Sequence, residues 1–176
     1  MDLYLVEQQG FDYKELDLNV NDFLSSFPDE FSYADANNFV YLNISLAGFW
    51  PLMKTTFQPL EGEKNLTPDI STWMPDGTLL LSPEATRYIG DNLAPYGEIL
   101  PIIVDGKEWA IFNCLSTSNL EDFAPEDNSQ SSAKSIGSKM LFKCINPEKY
   151  GLYCNSRFKQ LIEDYGLHGL EFTAIE

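Results

Sequence analysis

Two apolar runs, Glu98–Val104 and Glu108–Leu115, flank the dipeptide Asp105-Gly106 in the second half of a 176-residue chain. This is the segment with the least conformational freedom. A two-residue loop between strand-like runs favours a type I′ turn, and glycine supplies the positive φ that such a turn needs. The spacing therefore predicts a β-hairpin. What flanks it must supply the rest of a sheet and something to cover it.

Upstream, Thr78–Leu81 reads as a short buried strand that feeds directly into a helix. Ser82 is a good N-cap, Pro83 fits the first helical position, and Glu84 complements the helix dipole. That helix is expected to run to about Leu93, weakened by Gly90, with Ala85, Tyr88, Ile89 and Leu93 on its inner face. Downstream, Lys139–Ile145 reads as a strand. Asn155 then caps a helix from Ser156 to about Tyr165, with Phe158, Leu161, Ile162 and Tyr165 facing inward and Gly166 ending it. Leu170–Ile175 closes the described pattern as a strand.

The first third is less regular. Asp2–Glu7 and Phe39–Leu46 read as strands. Asn21–Phe27 has helical spacing at Phe23, Leu24 and Phe27 but runs into Pro28. The stretch from Trp50 to Gly77 is rich in proline and reads as an irregular connection with a short strand near Thr55–Phe57. The fold class expected is α+β: a mainly antiparallel sheet with two or more packed helices in a single compact domain. Residues 1–67 form its acidic, aromatic-rich N-terminal part, and residues 68–176 its core.

Charge narrows the function. The chain carries 27 acidic and 11 basic residues, a net charge of −16. Direct nucleic-acid binding needs Lys and Arg to replace phosphate counterions and is not expected; an anionic membrane is disfavoured on the same ground. The acidity is uneven, with a balance of −17 over residues 1–127 and +1 over residues 128–176. Hydrophobic residues make up 44% of the chain, enough for a packed core. The Asn128–Ser135 stretch reads as a polar surface loop. The opening Met1-Asp2-Leu3-Tyr4 has neither the basic nor the apolar region of a signal peptide, and no apolar run approaches a membrane span. A cytoplasmic location is the expectation.

Searches for chemistry return little. There is no P-loop, dinucleotide fingerprint, nucleophile elbow or HExxH. Asp122 to Asp127 lacks the glycine and terminal Glu of a calcium loop. Cys114, Cys144 and Cys154 are widely spaced and form no C-x-x-C, so no metal site, disulfide framework or cofactor is expected. The single histidine, His168, is either a general base or a turn residue beside helix carbonyls. Cys114 is either a nucleophile or a small buried hydrophobe. The carboxylate pairs Asp29-Glu30, Glu121-Asp122 and Glu126-Asp127 are either solvated surface or parts of an anionic binding face. Trp50 and Trp73 bracket the proline-rich stretch and are either packed or partner anchors.

The order Pro68-Asp69-Ile70, Asp76-Gly77-Thr78-Leu79-Leu80-Leu81-Ser82, Glu98-Ile99-Leu100-Pro101-Ile102, Glu108–Asn113, Leu120-Glu121-Asp122-Phe123, and finally Leu167-His168-Gly169-Leu170-Glu171-Phe172 resembles the Imm11-like immunity proteins of bacterial polymorphic toxin systems. The resemblance spans roughly residues 68–176. It implies a non-enzymatic cytoplasmic antitoxin that binds a cognate secreted toxin with a basic surface or cleft and blocks it. On that reading the toxin-binding candidates are Asp29, Glu30, Glu121, Asp122, Glu126 and Asp127, with Trp50 or Trp73 as anchors. The alternatives are an acidic adaptor or chaperone for a basic secreted effector, and an enzyme built on Cys114, His168 and a carboxylate.

Overall fold

The computed structural model describes residues 2–58, 66–74, 76–120, 139–144 and 146–175. Its strands are β1 (Leu3–Gln8), β2 (Glu15–Leu16), β3 (Met53–Thr55), β4 (Phe57–Gln58), β5 (Ile70–Thr72), β6 (Thr78–Leu81), β7 (Gly97–Val104), β8 (Lys107–Cys114), β9 (Thr117–Ser118), β10 (Leu141–Cys144), β11 (Leu152–Asn155) and β12 (Leu170–Ile175). The helices are α1 (Tyr33–Asn37), α2 (Pro83–Leu93) and α3 (Ser156–Asp164). The expected hairpin is β7–β8, in register from Gly97 opposite Cys114 to Val104 opposite Lys107. Asp105 (φ 49°) and Gly106 (φ 78°) both take the left-handed conformation of a type I′ turn.

The hairpin is the middle of a central sheet with strand order β3-β7-β8-β6-β5. A second sheet has the order β12-β1-β11-β10-β9, and β2 pairs with β4 in a small ribbon. All pairings between these strands are antiparallel except β3 with β7 and β9 with β10. The architecture is α+β in one compact domain. The N-terminal third belongs to both sheets: β1 lies between β11 and β12, and β3 forms one edge of the central sheet.

Period-2 alternation in the central sheet sends side chains to two different cores. Leu79, Leu81, Ala110, Phe112 and Cys114 face α2, α3 and the second sheet, where they meet Ala85, Ile89, Leu93, Phe158, Ile162, Leu141 and Cys154. Leu80, Leu100, Ile102, Trp109 and Ile111 face the other way and are covered by Leu18, Val20, Phe23, Phe27, Phe39 and Leu46. Every residue of β6 is buried. The sheet therefore has no solvent face at its centre, and the covering layer of residues 18–50 is part of the fold rather than an appendage.

That layer is built from short turns. Single 3-10 turns at Val20–Asp22 and Leu24–Ser26 replace the helix suggested by Phe23, Leu24 and Phe27, with Asn19 and Asp22 forming a reciprocal cap. Ser32 and Asp35 form a second capping box that starts α1. Phe39–Leu46 is not a strand, contrary to its β-branched and aromatic composition. It leaves α1 as a series of turns, with Asn43 at φ 54°, while Phe39, Val40 and Leu46 drop into the core. Burial of those three side chains against the sheet outweighs local strand propensity. Phe23 is the hub of the layer, with ring centroids 5.0 Å from Trp50, 5.7 Å from Phe27, 6.1 Å from Trp73 and 6.4 Å from Phe39.

Both caps expected in the second half form. Ser82 Oγ accepts from the Ala85 amide, and Asn155 Oδ1 from the Arg157 and Phe158 amides. Tyr88 and Tyr165 depart from the inward positions that helical spacing suggests. They stack on each other at the surface, centroids 4.8 Å apart and nearly parallel. The inner faces are filled by Ala85, Ile89, Leu93, Phe158 and Ile162, so Tyr88 in the middle of α2 pairs with Tyr165 at the end of α3 instead.

A carboxylate fastens the layer to the sheet. Glu98, on β7, accepts hydrogen bonds from the Ser45 hydroxyl, the Leu46 amide (2.9 Å), the Ala47 amide (3.2 Å) and Asn113 Nδ2 (3.1 Å). Asn113 Nδ2 also donates to the Ile44 carbonyl at 3.1 Å. Its Oδ1 is buried without a partner among the described residues. Flipping the amide would set that oxygen against two acceptors, so the orphan is the smaller cost. Glu98→Ala is expected to lower unfolding free energy by about 2–4 kcal/mol, because it removes the acceptor of the Leu46 and Ala47 amides and leaves Asn113 Nδ2 with the Ile44 carbonyl alone. Urea denaturation measures this; a loss below about 0.5 kcal/mol would show that the clamp is not holding the layer.

Candidate functional site

Asp29 and Glu30 are exposed, in the turn between the second 3-10 turn and α1. Glu15, Asp17 and Asp22 are exposed on the same N-terminal layer. Asp17 and Asp22 border an open groove of about 570 Å³ that also includes Lys54, Thr55 and Thr56 at the edge strand β3. Between described residues Lys159 and Glu163 form an ion pair (3.9 Å), and His168 Nδ1 lies 3.2 Å from Asp69, both away from this layer. Glu121, Asp122, Glu126 and Asp127 lie outside the described residues.

Trp50 and Trp73 are brought together, with ring centroids 6.5 Å apart and edge-to-face, over Phe23. Both are partly buried. Trp50 Nε1 donates to the Pro101 carbonyl at 2.9 Å and Trp73 Nε1 to the Leu18 carbonyl at 2.8 Å. Their polar edges are thus engaged inside the fold, tying the layer to β7 and to the end of β5.

Cys114 and His168 stand in different settings. Cys114 is completely buried on β8, its thiol directed to the Tyr96 and Ser116 carbonyls at 3.7 and 3.5 Å. Burial pushes this thiol up to about 11, which starves it of thiolate at neutral pH. Cys154 is likewise buried and its thiol pushed up by burial. His168 is exposed in the corner between α3 and β12. Asp69 Oδ2 accepts from the His168 amide (2.9 Å) and sits 3.2 Å from Nδ1, while the Asp69 amide donates to the His168 carbonyl at 2.9 Å. The hydrogen bonds of the thiol and of the imidazole go to different partners, and they form no dyad. Among the described residues no group of three or more His, Cys, Asp and Glu is placed to hold a metal ion.

The side chain that sequence reasoning missed is Lys143. It is the one charged residue in the buried set among the described residues, only 5% exposed. On β10 it shares the inner face with Leu141, and its stem runs over Gly77. A Cβ at Gly77 would lie 2.5 Å from both Lys143 Cδ and Val40 Cγ1, so glycine is required for the passage. Lys143 Nζ donates to the Val40 carbonyl, another tie between the covering layer and the second sheet. Beside it opens a small cleft of about 60 Å³ lined by Val40, Tyr41, Asn43, Asp76, Thr117, Lys143, Cys144 and Tyr150. The Tyr41 hydroxyl donates to Asp76 Oδ2 at 2.8 Å, and the Tyr41 and Tyr150 rings meet at 4.6 Å. Burial pushes the Lys143 ammonium down to about 8, opposed by the neighbouring Cys114. The signal in the sequence was a lysine at an inward position of an otherwise apolar strand.

No protein-family model matches this chain, and no curated protein matches it. Among the described residues no helix is long and apolar enough to cross a membrane.

The Lys143 shift makes a prediction about pH. Between about pH 8 and the ordinary 10.5 the unfolded chain holds more protons at this position than the folded one. Stability from this group therefore rises with pH across that window, and the cost of the buried charge is felt in full below it. The stability of the wild-type chain relative to Lys143→Met is expected to improve between pH 7 and pH 9.5 in urea titrations. A difference that stays constant with pH would contradict the burial of a charged ammonium.

Proposed function

We propose that the protein is a cytoplasmic immunity protein, similar to the Imm11-like family. It binds a cognate secreted toxin domain and blocks it by occlusion. The observation that carries this reading is the uncompensated negative field of the N-terminal two thirds, a balance of −17 over residues 1–127. Its carboxylates at Asp22, Asp29 and Glu30 in the covering layer, and at Glu15 and Asp17 just before it, are exposed. Such a field opposes compaction by self-repulsion, and a basic partner offsets that cost on binding. It also steers association and fixes orientation, which suits an inhibitor that must reach its toxin quickly. The exposed pair Asp29-Glu30 and the Asp17–Asp22 groove are the proposed contact region, with Glu121, Asp122, Glu126 and Asp127 as further acidic candidates. An interface of about 800 Å² per partner is the expected size. The buried, thiolate-poor Cys114 gives the enzymatic alternative no nucleophile.

The test begins with recovery of the tagged protein from its host at low salt. One stoichiometric partner with a toxin-like domain is expected, and co-production of the immunity protein should restore growth to cells making that domain. Reversing Asp17, Asp29 and Glu30 to Lys, and leaving the Asp22 cap intact, should slow association at least tenfold in low salt while the fold survives. Association that is indifferent to ionic strength and to the reversal would sink the electrostatic reading. A partner that is bound without rescue of growth would favour an adaptor or chaperone.

A further inference from the structure

The Lys143 cleft calls for an occupant of defined chemistry, on grounds independent of toxin binding. A lysine ammonium has three donors. Here one reaches the Val40 carbonyl, and no carboxylate among the described residues pairs with Nζ. The adjoining space of about 60 Å³ holds roughly four water-sized positions, enough for a ligand of about four heavy atoms. Charge on the walls selects against ions. An anion would face Asp76 and the field of a chain with net charge −16, and a cation or metal would face Lys143 itself. What remains compatible is a small neutral molecule with a polar group to meet the amine. The lining of the same cleft includes the Tyr41–Asp76 hydrogen-bonded pair, which can give and take a proton.

We propose that this cleft is a carbonyl-capture site, in which Lys143 Nζ forms an imine with a small neutral aldehyde. The nitrogen lone pair attacks the carbonyl carbon. The N–C bond forms as the C=O π pair moves onto oxygen, which takes up the proton released by nitrogen and gives a carbinolamine. The hydroxyl then leaves as water, with the proton it needs relayed by the Tyr41–Asp76 pair, and the nitrogen lone pair closes the C=N bond. The product is a protonated imine and water, with no change of oxidation state. Its remaining N–H keeps the hydrogen bond to the Val40 carbonyl. Burial favours the neutral amine that this attack requires: with the amine pushed down to about 8, roughly a fifth is neutral at pH 7.4, against roughly a thousandth for an exposed lysine. Lower intrinsic nucleophilicity and restricted entry take back part of that advantage.

The experiment treats the full-length chain with acetaldehyde and sodium cyanoborohydride at pH 7.4, which reduces any imine to a stable secondary amine, and maps the sites by mass spectrometry. Lys143 is expected to be ethylated about tenfold faster than any of the other eight lysines. Benzaldehyde, too large for the cleft, should leave Lys143 unmodified while still reaching exposed lysines. Asp76→Asn should slow capture at Lys143 without slowing it elsewhere, and Lys143→Arg, which keeps the charge, should abolish the fast phase. Labelling of Lys143 no faster than exposed lysines, or only after unfolding in urea, would overturn the proposal. So would equal labelling by benzaldehyde.

Discussion

The paired β6 and β8, from Thr78 to Leu81 and from Trp109 to Cys114, have no face left for water, and the rest of the molecule is arranged around that constraint. Leu79, Leu81 and Phe112 on one side and Leu80, Ile102 and Ile111 on the other are all essentially inaccessible. A five-stranded sheet of this composition needs cover on both faces. The helices α2 and α3 and the second sheet supply one cover. The other comes from about thirty residues with little regular structure, a poor source of backbone hydrogen bonds. The polar ties answer that deficit: Glu98 and Asn113 to residues 44–47, Trp50 to Pro101, Trp73 to Leu18, and Lys143 to Val40.

This arrangement joins the fold to the proposed function. The residues that cover the sheet with their apolar side also present the exposed acidic groups on their outer side. A partner drawn to those carboxylates would rest on a surface backed by the Phe23 aromatic cluster. The Lys143 cleft lies elsewhere, at the seam where the covering layer, the Asp76 turn and the second sheet meet. Its amine is held by the layer through Val40 and by the strand through its own backbone, so occupancy of the cleft and attachment of the layer are physically linked.

Local signals were legible where chemistry at one or two residues decides the backbone. Asp105-Gly106 announced the hairpin, Ser82-Pro83 announced α2, and Asn155 announced α3, because turns and caps are set by adjacent groups. Phe39–Leu46 misled because its β-like composition serves burial from a chain of turns, and burial depends on sheet residues such as Leu80, Leu100 and Ile111 that are distant in sequence. The short β11, Leu152-Tyr153-Cys154-Asn155, offered too few residues for a pattern. Tyr88 and Tyr165 kept helical spacing yet found a better contact in each other. For the site, exposure of Asp29 and Glu30 followed from their type, whereas the engagement of both tryptophan N–H groups depended on carbonyls distant in sequence. Lys143 was hidden for the same reason: nothing local to Leu141–Cys144 reveals the glycine at position 77 that lets its stem through.

The account stands or falls on the covering layer and the central sheet unfolding as one unit, which native-state hydrogen exchange measures directly. The β6 and β8 amides at Leu80, Ile111 and Phe112 are expected to exchange only with global unfolding, at the free energy given by urea denaturation. Exchange of these amides through a cheaper local opening, while the amides of β1 and β11 stay protected, would mean that the layer detaches on its own and would contradict the central claim.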